Sequence, residues 1–269
     1  MLRHQIHNTT GNVYNAFLYK KTFYEPHFHK SFELIFLQKG EMDATVDQKR
    51  YHLHAGECLL IPSFVNHSLD VKEGNDCIVI VFSPRYVESA AALFRNNEPA
   101  DYRVRLDEAT AQFFLRSLAA EPKESGIEGA YALQKPSLLC IKASLYAVFD
   151  AFLTQNPMQK KTRDSVLAEQ LIEYLESNYQ SDFTLTDLAQ HLGYSYDYLS
   201  RVFNQTFRMN FKTIVNQYRC EQAMHLLCTT QATLADIATE SGFQSIRSFN
   251  RVFLDTVGIT PSDFRCENS

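Results

Sequence analysis

Residues 184–207 read TLTDLAQHLGYSYDYLSRVFNQTF, and residues 233–257 read TLADIATESGFQSIRSFNRVFLDTV. The two stretches align almost throughout. Asp187, Leu188, Ala189 and Gly193 match Asp236, Ile237, Ala238 and Gly242 at an offset of 49. Ser200-Arg201-Val202-Phe203 matches Asn250-Arg251-Val252-Phe253 at an offset of 50, so the second copy carries one extra residue after its glycine. Each copy has the logic of a helix-turn-helix. A Thr caps the first helix, with Asp187 or Asp236 as the acid of a capping box. A small Ala lets two helices cross closely. Gly193 or Gly242 supplies the positive φ of a tight turn. Ser195 or Ser245 then caps a second helix. Leu199, Val202 and Phe203 face inward on that helix, as do Phe249, Val252 and Phe253 in the second copy. Ser200, Arg201, Asn250 and Arg251 are left on the outside. Helical repeats with glycine turns also build scaffolds, but polar and basic residues on the same helix of both copies favour DNA.

Working outward, the segment from Leu167 to Arg265 resembles the DNA-binding domain of the AraC/XylS transcriptional regulators. The resemblance rests on TLTDLAQHLGYSYDYLSRVF, the connector FKTIVNQYRCEQAMHLL, then LADIATESGF, NRVF and GITPSDFR. In that family each recognition helix enters a major groove, and one monomer reads two successive grooves. The resemblance implies contact roles for Tyr196, Asp197, Ser200 and Arg201 in the first helix and Ile246, Arg247, Asn250 and Arg251 in the second. The connector Phe211–Cys228 would be a helix of roughly 27 Å, near the ~34 Å between successive groove faces. Two departures stand out. Arg208 replaces a Gly that usually ends the first copy, so either it carries a strained positive φ or the turn differs locally. Asp197, an acid, repels phosphate but can accept from cytosine N4.

The chain has 269 residues, room for two domains, and a formal net charge of −5. Bulk positive charge is therefore excluded as the basis of nucleic-acid binding. Charge is sorted instead: residues 198–220 carry Arg201, Arg208, Lys212 and Arg219 with no acid, and residues 241–254 carry Arg247 and Arg251 with none. The opening MLRHQIHNTTGNV has no apolar signal region, and no run approaches ~18 uninterrupted apolar residues. The six cysteines form no CxxC pair. A reduced, cytoplasmic protein without a membrane span is expected.

The first hundred residues read as β, with runs such as FELIFL and CIVIVF between turn signals, suggesting a sandwich or small barrel. They also contain His27-Phe28-His29, Glu33 and Gly40, then Gly56, Pro62 and His67. This resembles the two cupin motifs, whose matching positions hold a metal through three His and one Glu. On one strand His27, His29 and Glu33 would share a face, with Phe28, Phe32, Leu34 and Phe36 on the other. The four residues are assigned to effector binding. As a metal site they would suit Zn, Mn, Fe or Ni, although no cofactor is required. Lys21, Phe64 and Val71 depart from the enzyme pattern. A rim of Tyr14, Phe17, Tyr19 and Tyr24 suits a sugar or aromatic ligand and equally a barrel core. A helix predicted over Pro136–Thr154 puts Leu138, Ile141, Leu145, Val148 and Phe152 on one seam, which packs on the β domain or forms a dimer.

The expected fold is an α+β chain of two domains. A cupin-like β-barrel or sandwich with flanking helices (1–100) is followed by a helical coupling and dimerisation segment (101–160), and a linker at Asn156 to Arg163 leads into the next domain. An all-α domain (161–269) then carries helix-turn-helix units at 184–207 and 233–257. The expected function is transcription regulation by a non-enzyme that binds promoter DNA and a small-molecule effector, acts as a homodimer and engages RNA polymerase. The rival is a metal-dependent cupin dioxygenase or isomerase.

Overall fold

The computed structural model describes residues 3–4, 13–118, 122–125, 129–207 and 209–267. The chain divides into two units, with the boundary between Lys161 and Thr162.

In the first unit two antiparallel sheets share one apolar core. The seven-stranded sheet runs in the order Arg103–Arg105, Glu57–Ile61, Phe32–Lys39, Asp76–Phe82, Tyr14–Tyr19, Ala130–Ala132, Lys123–Glu124. The five-stranded sheet runs Arg3–His4, Thr22–Phe28, His67–Val71, Glu41–Val46, Lys49–His54. Ile35, Leu37, Leu59, Ile61, Val79 and Val81 of the larger sheet meet Met42, Ala44, Val46, Leu53, Leu69 and Val71 of the smaller. The other face of the larger sheet is also covered. Phe32, Leu34, Phe36, Leu60, Ile78, Ile80 and Phe82 pack against Phe114, beside the helix Glu108–Ser117's end at Leu118, and against the helix Leu138–Gln155. Burial on both faces is why FELIFL and CIVIVF are continuous apolar runs instead of alternating ones.

The segment 101–160 belongs to this unit and is not a separate coupling segment. Three of its short strands extend the seven-stranded sheet. The expected linker is also largely structured: Met158–Lys160 pairs antiparallel with Asn97–Pro99, and buried Asn156 donates to the Arg103 and Phe152 carbonyls. The helix predicted from Pro136 begins at Leu138, because the Ser137 hydroxyl accepts from the Cys140 N–H and caps it. Most of its seam packs on the β domain, the first of the two alternatives. Ile141, Leu145, Val148 and Phe152 are buried in the core of their own unit, while Leu138 and Leu139 stand exposed. With 18 residues and a mean hydropathy of 1.3, this helix is long and apolar enough to cross a membrane by length and composition. Its packing against the sheet accounts for that apolarity.

The second unit is helical: Arg163–Asn178, Leu185–Leu192, Tyr196–Phe207, Phe211–Thr229, Leu234–Glu240, Ile246–Val257 and Pro261–Glu267. The capping box at Thr184 is complete: its hydroxyl accepts from the Asp187 N–H while Asp187 accepts from the Thr184 N–H. Thr233 accepts from the Asp236 N–H in the second copy. The connector has 19 residues, about 28 Å of helix. Its Cys220, Ala223, Leu226 and Leu227 form one core with Ile237, Ala238, Phe249 and Phe253. Arg208 lies outside the described residues.

Candidate functional site

Two surfaces collect the residues singled out from the sequence. The first is built by the helices Tyr196–Phe207 and Ile246–Val257. Ser195 accepts from the Tyr198 N–H and Ser245 from the Ser248 N–H, so both helices start with a side-chain cap. Leu199, Val202 and Phe203 are buried in the first, and Phe249 and Phe253 in the second, where Val252 is half-buried. Burial of that stripe leaves Tyr196, Asp197, Arg201, Ile246, Arg247, Asn250 and Arg251 exposed, with Ser200 half-buried.

The two helices differ electrostatically. Arg201 donates to Asp164 at 3.1 Å and to Gln205 at 2.9 Å, and its guanidinium lies 5.0 Å from the Tyr198 ring centre. Arg163 covers the same ring at 5.4 Å, and the Tyr198 hydroxyl donates to Asp164 at 2.6 Å. The Tyr198 hydroxyl and then Arg201 hold the Asp164 carboxyl below its ordinary range. Sequence reasoning missed Asp164, because it lies 37 residues before Arg201 on another helix. Arg247 and Arg251 make no hydrogen bond or ion pair among the described residues.

The second surface is interior. His27, His29, Glu33 and His67 are all buried, and one ligating atom from each lies within 4.8 Å of the others. They do not share a strand. The Thr22–Phe28 strand ends before His29, and Phe32–Lys39 restarts in the opposite sheet. The expected single strand is therefore two, and the residues converge because the chain crosses between sheets at 29–31. Pairing of His27 with His67 across the smaller sheet brings in the fourth member. Glu33 points between the sheets, while Phe32 and Leu34 point to the helical side.

Each imidazole has its Nδ1 at a backbone carbonyl: His27 at Glu25, His29 at Ser31, His67 at Val65, at 2.8–2.9 Å. Those contacts turn each Nε2 towards the cluster, the orientation typical of metal-ligating histidines. Glu33 Oε2 lies 3.0 Å from His29 Nε2 and 3.4 Å from His67 Nε2, and the buried Glu33 Oε1 has no hydrogen-bond partner. Burial works against the Glu33 charge, but His67 and His29 outweigh it and hold the carboxyl well below its usual range. Burial likewise opposes charge on His67, and Glu33 overcomes it and raises the imidazole. Burial and then His67 push His27 down to about 3. This donor set, with an orphan carboxylate oxygen, fits a divalent transition ion.

Of the expected aromatic rim, Tyr24 packs 5.7 Å from His27, and its hydroxyl lies 2.6 Å from that of Tyr19. Phe17 is half-buried beside Tyr19. Tyr14 is not part of this rim; it belongs to the opposite core, beside Tyr86. Phe64, which replaces a motif Gly, adopts φ +66 and donates its N–H to the His29 carbonyl.

Comparison with known proteins places these surfaces in context. Residues 18–134 match the AraC-like ligand binding domain and residues 188–267 match a helix-turn-helix domain. An HTH-type transcriptional regulator of Staphylococcus aureus (strain MSSA476) is 33% identical over 96 residues, 36% of this chain, and the match spans only 13% of that relative's length. The HTH-type transcriptional regulator YdiP of Escherichia coli K12 is 25% identical over 240 residues, covering 87% of this chain and 78% of YdiP. ToxT from Vibrio cholerae shares the fold of both units, at a TM-score of 0.58, 16% identity, and 97% and 100% coverage. A ToxT structure with bound unsaturated fatty acid matches at a TM-score of 0.56 and 16% identity, over 94% of each chain. None of these relatives is described as an enzyme. With a sensing-domain match followed by a helix-turn-helix match over most of its length, the chain belongs to the AraC family of transcriptional regulators.

Proposed function

We propose that this protein is a DNA-binding transcription regulator whose first unit senses a small molecule. The observation that supports this reading best is the second reader helix. It is capped at Ser245, anchored by Phe249 and Phe253, and presents Arg247, Asn250 and Arg251 to solvent. Arg can pair bidentately with guanine and Asn with adenine. Tyr196, Asp197, Ser200 and Arg201 supply the weaker half of the contact.

His27, His29, Glu33 and His67 are the proposed effector site, with Tyr24 beside them. Zn, Mn, Fe or Ni held by this set is part of the proposal, since neutral imidazoles and a carboxylate suit those ions. Bound there, the ion would offer a Lewis-acidic position to an oxygen-bearing effector. The sugar expected from the sequence and the unsaturated fatty acid seen in ToxT are the effector classes to test. A cytoplasmic homodimer that contacts RNA polymerase completes the reading. With the Ile141–Phe152 seam buried, the outward Leu138, Leu139 and Tyr146 are the face for self-association.

The test is fluorescence anisotropy of full-length protein on labelled DNA from upstream of its own gene, with and without effector, alongside elemental analysis of tag-free protein. Specific binding over a scrambled duplex is expected. Equal affinity for the two duplexes would overturn the reading.

A further inference from the structure

A second cluster of metal-ligating groups lies outside the interior site, on the solvent face of the hairpin formed by Glu41–Val46 and Lys49–His54. Its two-residue turn, Asp47-Gln48, has positive φ at both positions (46° and 66°). That geometry matches strand twist and pins the register. Glu41 is therefore directly opposite His54, and Asp43 directly opposite His52. All four side chains point outward and are exposed.

One ligating atom each from Glu41, His52 and His54 lies within 4.8 Å of the others. Glu41 Oε2 is 3.6 Å from His52 Nε2, and Glu41 Oε1 is 3.4 Å from His54 Nδ1. Such separations are long for hydrogen bonds. Each carboxylate oxygen thus faces a different imidazole nitrogen, across gaps that an ion with ligands about 2.0–2.2 Å away can bridge. Asp43 completes the arrangement differently. Its Oδ1 lies 2.8 Å from His52 Nδ1, the ring nitrogen that does not face Glu41. A carboxylate behind an imidazole fixes the ring and strengthens its other nitrogen as a ligand. On its far side, Asp43 stands opposite Asp70 in the neighbouring strand. Like charges directly opposite are unfavourable, and Lys72, 4.0 Å from Asp43 Oδ2, and Arg50 offset them in part. The face thus gathers three carboxylates and two imidazoles, a field that favours a dication.

We infer that Glu41, His52 and His54 form a surface site for a divalent transition ion of the zinc class, with Asp43 as the positioning residue behind His52. Three protein ligands leave at least one coordination position for water or for a donor from another molecule. The inference is independent of the interior cluster, which faces the space between the sheets.

The experiment is calorimetric titration of full-length, tag-free protein with zinc chloride after chelator treatment. The His52→Ala/His54→Ala variant should bind one fewer zinc per chain than the wild type, with an unchanged circular dichroism spectrum. Asp43→Asn keeps all three ligating atoms and should weaken the same equivalent about tenfold. Equal stoichiometry and affinity in the wild type and the double variant would overturn the site. An unaltered affinity in Asp43→Asn would remove Asp43 from it. Any zinc held by the interior cluster appears equally in all three proteins.

Discussion

Arg201 donates to Asp164 at 3.1 Å, whereas Arg251, its counterpart in the repeat, has no ion-pair partner among the described residues. Two helices that align position for position are therefore unequal in the charge they offer to DNA. Replacing Arg251 with Ala should weaken specific binding by about 1–3 kcal/mol, roughly 5- to 150-fold. Replacing Arg201 should cost less, because its pairing with Asp164 is lost on engaging a base. Asp164→Asn should strengthen binding by releasing Arg201 and removing a negative charge. Anisotropy at one fixed salt concentration checks all three, since salt alone moves such affinities. Equal losses for the two arginines would contradict the asymmetry.

The turn glycines give a second contrast. Gly193 and Gly242 adopt φ +73 and +86, and an L side chain in that region costs about 1–2 kcal/mol. At Gly193 a Cβ would meet nothing within 4 Å, but at Gly242 it would lie 2.5 Å from Gln180 Cα and 2.7 Å from the Gln180 carbonyl oxygen. Gly242→Ala should therefore destabilise more than Gly193→Ala, by at least about 1 kcal/mol. Urea denaturation of the two variants would show it.

Phe149 makes edge contacts with Phe32 at 5.5 Å and Phe94 at 6.0 Å, binding the long helix to the sheet. Phe149→Ala should cost about 3–5 kcal/mol. Leu139, one helix face away and 80% exposed, should cost under about 0.5 kcal/mol when changed to Ala. A similar loss at both positions would mean that the helix packs differently in solution.

Stability of the chelated protein should fall in acid. His27 is held down at about 3, against an ordinary 6.5. Below pH 6.5 the unfolded chain binds a proton that the folded chain refuses. Stability therefore declines as pH drops towards 3, by up to ~1.4 kcal/mol per unit. His67 shifts the other way, so its contribution is complete below 6.5 and is lost as pH rises through its raised folded value. Glu33 is depressed, so its contribution is complete above its ordinary 4.5 and is lost progressively as pH falls below that value. Urea midpoints at pH 7 and pH 5 test the acid limb; a flat profile would contradict it.

The helix-turn-helix units were legible because their determinants are local: a cap, an acid three residues on, a glycine and a 3.6-residue stripe. The interior cluster was legible as a set of residues but not as a strand, since the chain leaves one sheet at His29 and joins the other at Phe32. The segment 101–160 misled because strands of two or three residues, such as Lys123–Glu124 and Met158–Lys160, show no periodicity. Their existence depends on partners far along the chain. The tie between Arg201 and Asp164 is hidden for the same reason. The heptad seam was visible, but periodicity cannot say which surface it covers, and here it covers the strands that carry Phe32 and Phe82.

The strand Phe32–Lys39 is pleated, so Glu33 faces the imidazoles while its neighbours Phe32 and Leu34 face the helix Leu138–Gln155. Neighbouring residues of one strand thus serve opposite sides of the sheet, a carboxylate among the imidazoles on one side and a phenyl ring 5.5 Å from Phe149 on the other.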